Sequence, residues 1–428
     1  MYPTPPYHFT INEGSFLLLA LLLFGAVIYR FGQLKGLPAY VAPSLFATKA
    51  AAALAYIAYH ARIPDGGDAY HFFYYSRYIQ AAFYENPHYY FRLLLGANDS
   101  FVATPIYKYT WQLEYWSDDD SYAILRFHAI LRWFSGGFYT IHGAFMAVLL
   151  YFASRNIYTV LYNYIDFEEK KQTYLLTTAV FFVPSVWFWT GGIHKDGFIY
   201  IGLSLLIYSF HYLSNLKSVS ILSNFSLILK GILGVFLLFL CRSYLLVALF
   251  PALFFGLFFG ARFSFFNTKK GLQYIILLGL GLILFYSVIT IADLPFLEKL
   301  ARKQREFISE WGNLDFSVPQ LAPTWASLLQ NLPIALRNGL FQPVLSTHSS
   351  IILLVMGLEP IFLLLFSAFL AFQQKNVKTT PLTYFLLTYC LLNLLLVGLL
   401  TANIGTLIRY RSVALGLIPL LAFSRKKG

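Results

Sequence analysis

Residues 351–372 read Ile-Ile-Leu-Leu-Val-Met-Gly-Leu-Glu-Pro-Ile-Phe-Leu-Leu-Leu-Phe-Ser-Ala-Phe-Leu-Ala-Phe. The single charge in that stretch is Glu359, next to Pro360, and the apolar residues follow one another without a period of two. About 20 such residues cross the hydrocarbon core of a bilayer as a helix. A strand of a membrane barrel would instead alternate apolar and polar residues, and neither this stretch nor residues 275–289 does so. The stretch reads as a membrane-spanning helix. Similar runs recur along a chain that is 58% hydrophobic and 12% charged, with a mean hydropathy of +0.62; soluble domains carry about 25% charge. The expected fold class is therefore all-α, a polytopic transmembrane helical bundle in one integral membrane domain.

Working outward from that run places spans at residues 14–30, 40–59, 138–160, 174–190, 197–213, 226–241, 244–260, 272–291, 350–372, 382–401 and 411–424. The apolar stretch 225–260 is divided at Arg242 because an arginine in mid-bilayer is costly. Basic residues then fix the orientation, since cytoplasmic loops are enriched in Lys and Arg. Alternate gaps hold Arg30 and Lys35; Arg155, Lys170 and Lys171; Lys217 and Lys230; Arg262, Lys269 and Lys270; Lys375 and Lys378; and Arg425, Lys426 and Lys427. Those fifteen bases meet three acids, Asp166, Glu168 and Glu169, whereas the opposite side balances fifteen bases with fifteen acids. Lys49 and Glu359 lie within spans and cancel, so the net charge of +12 falls on one face. The pattern predicts eleven spans, N-out and C-in.

Short basic loops at membrane ends are explained by insertion and by anionic lipid headgroups, so no nucleic-acid partner is expected. Cys241 and Cys390, the two cysteines, lie in or beside apolar runs, which excludes a disulfide framework or a CxxC metal site. No basic residue precedes the first apolar run, so that run is expected to be a span and not a cleavable signal peptide.

Two long loops fall on the outer side, at about 60–137 and 292–349. Tyr and Phe crowd residues 70–84, as in segments that lie at headgroup level. Asp118-Asp119-Asp120 precedes an expected helix through Arg132; the three acids are expected to be solvated there, with metal or substrate contact as the alternative. Leu297, Leu300, Ala301, Gln304, Phe307, Ile308 and Trp311 form a stripe at helical spacing, flanked by Lys299, Arg302, Lys303 and Glu306. That is the pattern of an interfacial amphipathic helix.

The residues able to carry chemistry gather at this outer boundary. Asp68, in Gly67-Asp68-Ala69-Tyr70-His71, either caps the aromatic helix or acts as a general base or sugar-orienting carboxylate. His71 shares its helical face, a weak basis for a metal pair. Residues 184–197 read Pro-Ser-Val-Trp-Phe-Trp-Thr-Gly-Gly-Ile-His-Lys-Asp-Gly. Their aromatics and glycines suit a belt and a turn, but His194-Lys195-Asp196 at a tight turn is unnecessary for insertion. Lys195 could neutralise a phosphate, with Asp196 as a second carboxylate. Arg242 lies at a hairpin beside Cys241 and Tyr244. Arg409 and Arg411 run against the charge rule at the last outer turn, and guanidinium forks match phosphate oxygens.

These elements occur together: Gly67, Asp68 and Tyr70 after the second span; Pro184, Ser185, Phe188, Trp189, Gly192, Lys195 and Asp196 between the fourth and fifth; Arg242 and Tyr244 mid-chain; Arg409, Tyr410 and Arg411 near the end. The arrangement resembles bacterial polytopic surface-polysaccharide enzymes, namely O-antigen or exopolysaccharide polymerases and GT-C-type lipid-linked-sugar glycosyltransferases. The resemblance implies a polyprenyl-phosphate or -pyrophosphate sugar donor, made in the cytoplasm and used outside, and a glycan or lipid-linked acceptor. It implies Asp68 and Asp196 as catalytic carboxylates, and Lys195, Arg242, Arg409, Arg411, Tyr70 and His194 as substrate or phosphate ligands. No dedicated metal site is expected; a divalent cation is the one cofactor this chemistry leaves open. The rival classes are a transporter or flippase for a lipid-linked or anionic solute, for which Lys49 and Glu359 would line a pathway, and a non-catalytic component of an envelope-assembly complex.

Overall fold

The computed structural model of the chain describes residues 7–62, 67–95, 106–113, 115–116, 118–165, 170–215, 224–260, 296–310, 316, 318–344, 351–373 and 377–427. It is helical throughout apart from a two-residue antiparallel pairing of Val377–Lys378 with Lys426–Lys427. Eight of the described helices are long and apolar enough to cross a membrane. Many large apolar side chains on them face outward, among them Leu22 and Leu23, Phe236 and Phe239, and Phe362 and Leu365. A soluble protein would bury such faces; against lipid tails they cost nothing. This is a membrane protein.

The chain divides into two compact units, residues 1–159 with 186–206 and 228–243, and residues 160–185 with 207–227 and 244–428. In the first unit, α1 (Ile11–Phe31) and α2 (Val41–His60) are followed by four helices of the long loop: α3 (Gly67–Glu85), α4 (Pro87–Leu95), α5 (Tyr107–Thr110) and α6 (Asp119–Ser135). Tyr75, Ile79 and Ala82 of α3 recur at helical spacing and bury against Tyr122, Leu125 and Ala129 of α6. Removing a side chain of this size from water contributes about 1.5–3 kcal/mol. Gly136, in the left-handed conformation at φ 61°, ends α6, and α7 (Tyr139–Tyr162) begins three residues later.

α1 and α7 run parallel. Thr10 caps α1 by accepting from the Glu13 amide at 3.2 Å. The buried Glu13 carboxylate then accepts from the amide and hydroxyl of Thr140, at 2.9 and 2.7 Å, at the start of α7. At the other end of α1, the Gly32 carbonyl accepts from Tyr151 at 2.6 Å. Two helices pointing the same way are what an intervening single crossing by α2 requires.

Next come α8 (Lys170–Phe181), α9 (Pro184–Trp189), α10 (Lys195–Ser214) and α11 (Phe225–Arg242). Backbones touch where α10 and α11 cross. A Cβ on Gly234 would lie 2.7 Å from the Gly202 carbonyl oxygen, and one on Gly202 would lie 3.0 Å from that of Gly234. Only glycine permits this approach. The crossing brings the last residue of α11, Arg242, to the first turn of α10.

In the second unit, α12 (Leu246–Gly260), α13 (Phe296–Glu310), α14 (Trp325–Phe341), α15 (Ile351–Gln373), α16 (Pro381–Leu400), α17 (Ile404–Leu417) and α18 (Leu420–Phe423) complete the chain. α16 is its centre and packs on α12, α14 and α17. Thr380 caps it, and Thr380 and Thr383 both donate to the Ser424 carbonyl, at 2.6 and 2.7 Å. The α13 helix is amphipathic as expected: Leu300, Ala301 and Gln304 are buried while Lys299 and Arg302 are exposed. Gln304 ties it down, donating to the Leu399 carbonyl at 2.7 Å and accepting from the Leu321 amide at 2.7 Å.

Eight such helices stand where the charge pattern predicts eleven spans, for three reasons. The expected span 174–190 is broken between α8 and α9 at Pro184, which starts a new helix because it has no N–H to continue the old one. The stretch 225–260 is a single apolar run whose helix is interrupted at Ser243–Leu245, beside Arg242. The expected span 272–291 lies outside the described residues, as does Trp311.

Candidate functional site

The first unit brings together four residues from three separate segments. Asp68 enters from the first turn of α3, His194 and Asp196 from the start of α10, and Arg242 from the end of α11. Arg242 Nη2 lies 2.7 Å from Asp196 Oδ1, and Asp196 Oδ2 lies 3.2 Å from His194 Nδ1. The other ring nitrogen of His194, Nε2, stands 4.0 Å from Asp68 Oδ2. Asp196 is fully buried and His194 nearly so, whereas the Asp68 side chain is 46% exposed. The row thus leads from a buried ion pair out to an accessible carboxylate.

Each member has a physical reason to be there. A carboxylate can only accept, so Asp196 beside Nδ1 favours hydrogen on that nitrogen, with Nε2 facing Asp68. An unpaired buried carboxylate would be unstable, and the Arg242 guanidinium compensates it. The Nε2–Asp68 gap is too wide for a hydrogen bond, and both groups face it as acceptors, so a hydroxyl placed there donates to one of them. Tyr115 adds a hydroxyl, donating to Asp68 Oδ1 at 3.4 Å with His71 Nδ1 at 3.5 Å. Phe72 packs on both the His194 and Tyr115 rings, at 5.6 and 4.8 Å.

Glycines hold the turn before α10 against α2. A Cβ on Gly191 would stand 2.9 Å from the Ala52 backbone, and one on Gly192 would overlap the Tyr56 ring. Trp187 donates to the Thr48 carbonyl at 2.9 Å. Lys195 Nζ lies 3.8 Å from Asp118 Oδ2; it is partly buried and Asp118 is half exposed. Asp118 accepts from Ser121 at the start of α6.

Tyr70 is buried beside this row and packs on Tyr7, Phe73, Tyr74 and Tyr139. Burial, then Tyr74, pushes its hydroxyl pKa up. Behind the turn lies a second buried set. His128 Nδ1 is 2.8 Å from His142 Nδ1, and His142 Nε2 is 2.7 Å from the Ser135 hydroxyl. Burial pushes the His128 pKa down to about 3, so it stays neutral.

Arg409 and Arg411 belong to the second unit, and their setting differs from the expected outer turn. The helix begins at Ile404, capped by Asn403 accepting from the Thr406 amide at 3.0 Å. Both arginines therefore lie inside α17, because the helix, capped by Asn403, starts seven residues before the predicted span. Arg411 is fully buried and donates to the carbonyls of Gly339 at 3.2 Å, Gln342 at 2.5 Å and Met356 at 2.9 Å. Arg409 stays partly exposed, over the Tyr410 ring at 5.1 Å. Of the two, Arg409 has the better access to a ligand.

Among the described residues no three His, Cys, Asp or Glu side chains gather in a way that could hold a metal ion. No sequence signal marked Tyr115, one of 32 tyrosines in the chain. No family model matches the chain, and no curated protein or solved structure matches it either.

Proposed function

We propose that this chain is a membrane glycosyltransferase or polysaccharide polymerase that takes a polyprenyl-(pyro)phosphate-linked sugar as donor at the extracytoplasmic face. The observation that carries the reading is the row Arg242–Asp196–His194–Asp68, with one accessible carboxylate at its end. Such a row suits proton abstraction from a hydroxyl. In this reading Asp68 takes the proton of the acceptor hydroxyl, and His194, buried behind it, is a positioning residue. The oxygen forms a bond to the anomeric carbon, the carbon–oxygen bond to phosphate breaks, and the leaving (pyro)phosphate keeps the electron pair. Lys195 neutralises the charge that develops there. Asp196 and Arg242 are positioning residues. Arg409, in the second unit, is a phosphate-ligand candidate by its chemistry alone, and no step is routed through a divalent cation.

The N-out, C-in orientation belongs to the same proposal and rests on the six basic gaps. It puts Asp68, Lys195 and Asp196 outside the cytoplasm, in a bacterial plasma membrane. Reporter fusions after residues 35 and 137 test it, with cytoplasmic and external signals expected respectively. A flippase is the second reading, favoured by Lys49, which is fully buried within α2.

The deciding experiment replaces Asp68, His194 and Lys195 singly in the native host, verifies membrane levels, and follows surface glycan and lipid-linked precursor. Loss of glycan with precursor accumulating on the outer leaflet supports transfer. Accumulation on the inner leaflet supports the flippase, and unchanged glycan in all three variants and in a deletion strain overturns both.

A further inference from the structure

Two cations of the first unit are held against aromatic rings and not by a carboxylate. Lys108, Lys195, Arg242, Arg302 and Lys303 each meet a carboxylate. Among the described residues Arg77 on α3 and Arg132 on α6 meet none. Arg77 lies over the Tyr74 ring at 3.7 Å and the Tyr78 ring at 4.8 Å, and donates from Nη2 to both phenol oxygens, the latter at 2.8 Å. Arg132 lies over the Phe73 ring at 4.2 Å and donates from Nε to the Ser76 hydroxyl at 2.7 Å and from Nη2 to the Phe73 carbonyl at 2.6 Å.

The two guanidinium groups feel each other. Burial, and then the charge of Arg77, push the Arg132 pKa down to about 10. Both arginines also act on the hydroxyl of Tyr70. Like charges held together in an aromatic setting repel, and each guanidinium still has N–H groups that its described partners do not use. An oxyanion answers both deficits: it compensates two charges and accepts from two forks. Tyrosine and arginine on one helical face also suit a sugar ring, which presents C–H surface for stacking and hydroxyls for bonding.

We propose that Arg77 and Arg132, flanked by Tyr70, Tyr74 and Tyr78, form an anion-binding site for the carboxylate or phosphate of a charged glycan or lipid headgroup. The site is separate from the Asp68 row, though on the same helix, and it stands whether or not the chain transfers a sugar. It adds a charge requirement that the proposed chemistry does not need.

The test uses the full chain in phosphatidylcholine nanodiscs, titrated calorimetrically with three probes: inorganic phosphate, a disaccharide ending in glucuronate, and the matching neutral disaccharide. Saturable binding of one or both anions is expected, with little for the neutral sugar. Arg77→Gln should weaken that binding about tenfold or more, Arg77→Lys less, and Arg302→Gln, an exposed charge in the second unit, not at all. Arg132 also ties α6 to α3, so Arg77, which bonds only phenols, is the primary variant. Preference for glucuronate points to an acidic glycan. Competition when phosphatidylglycerol replaces the carrier lipid points to a headgroup. Absence of saturable anion binding, equal affinity in Arg77→Gln, or equal binding of the neutral disaccharide overturns the proposal.

Discussion

The Arg242 guanidinium reaches the fully buried Asp196 carboxylate at 2.7 Å, from the last turn of one membrane helix to the first turn of another. Neither charge is tolerable there without the other. Replacing Arg242 by Met should cost about 3–5 kcal/mol, because a buried carboxylate is left uncompensated, whereas the double change Arg242→Met with Asp196→Leu should recover much of it. Thermal unfolding of the detergent-solubilised variants measures both. A single variant as stable as the parent would show that the pair carries no such strain.

Asp196→Asn should lower stability, because it leaves the buried Arg242 charge uncompensated, and should lower activity as well. An amide can donate to His194 Nδ1 and so invert the tautomer that presents Nε2 to Asp68. A comparable change in a hydrolytic triad costs about 10⁴-fold, and a loss of at least a hundredfold in glycan formation is expected here after normalising to the amount of folded protein in the membrane. Asp68→Asn should be as damaging without altering thermal stability, since its side chain is half exposed.

Arg409 and Arg411, two residues apart, should respond in opposite ways. Arg411→Lys exchanges a planar fork bonded to three backbone carbonyls for a single ammonium. It should lower stability by about 2–3 kcal/mol. Arg409→Ala should leave stability within about 0.5 kcal/mol and reduce product formation if its guanidinium meets phosphate. Melting curves and glycan yield, measured together, separate the two roles.

His128 gives the protein a calculable acid sensitivity. Its folded pKa of about 3 is pushed down chiefly by burial and then by Arg132, while an unfolded histidine titrates near ~6.5. Between those values the unfolded chain takes up a proton that the folded chain refuses. Stability contributed by neutral His128 is thus complete above about pH 6.5 and declines as pH falls, by about 1.4 kcal/mol per unit. His128→Gln should flatten the slope of unfolding free energy between pH 7 and 5. An unchanged slope would assign the acid response to other groups.

The α10–α11 crossing should tolerate almost nothing larger than glycine. Gly234→Leu would drive its side chain into the Gly202 carbonyl and the Leu206 side chain. Overpacking of this kind costs about 1–3 kcal/mol, and it should also part Arg242 from Asp196. A cysteine pair introduced at the ends of the two helices would report the separation by its cross-linking yield.

Much of this was legible in the sequence, and the limits were physical. Apolar length alone marked α1, α2, α7, α10, α15 and α16, since a helix in lipid must be long and uniformly apolar. The stripe through Leu300 and Gln304 gave α13. The polar face and internal Pro333 of α14 hid that helix. Asp68, His194, Asp196 and Arg242 were singled out one at a time as misplaced charges at a membrane boundary. That they form one row depends on where α10 and α11 cross, which Gly202 and Gly234 determine. Two glycines among 28 carry no such message in isolation. Arg411 was read as facing outward because the start of its helix was placed at the arginine itself, whereas the Asn403 cap comes earlier.

The turn before α10 has a consequence for how the gene tolerates change. Gly191 and Gly192 press on Ala52 and Tyr56, and a Cβ on Gly197 would run into the Met146 side chain. Three positions that touch no substrate are thereby held to one amino acid each by steric exclusion. In a saturation library they should be as intolerant as Asp68, yet for a different reason: their variants would fail to reach the membrane folded, whereas Asp68 variants would arrive intact and idle. Scoring abundance alongside glycan output would split the intolerant positions into these two groups.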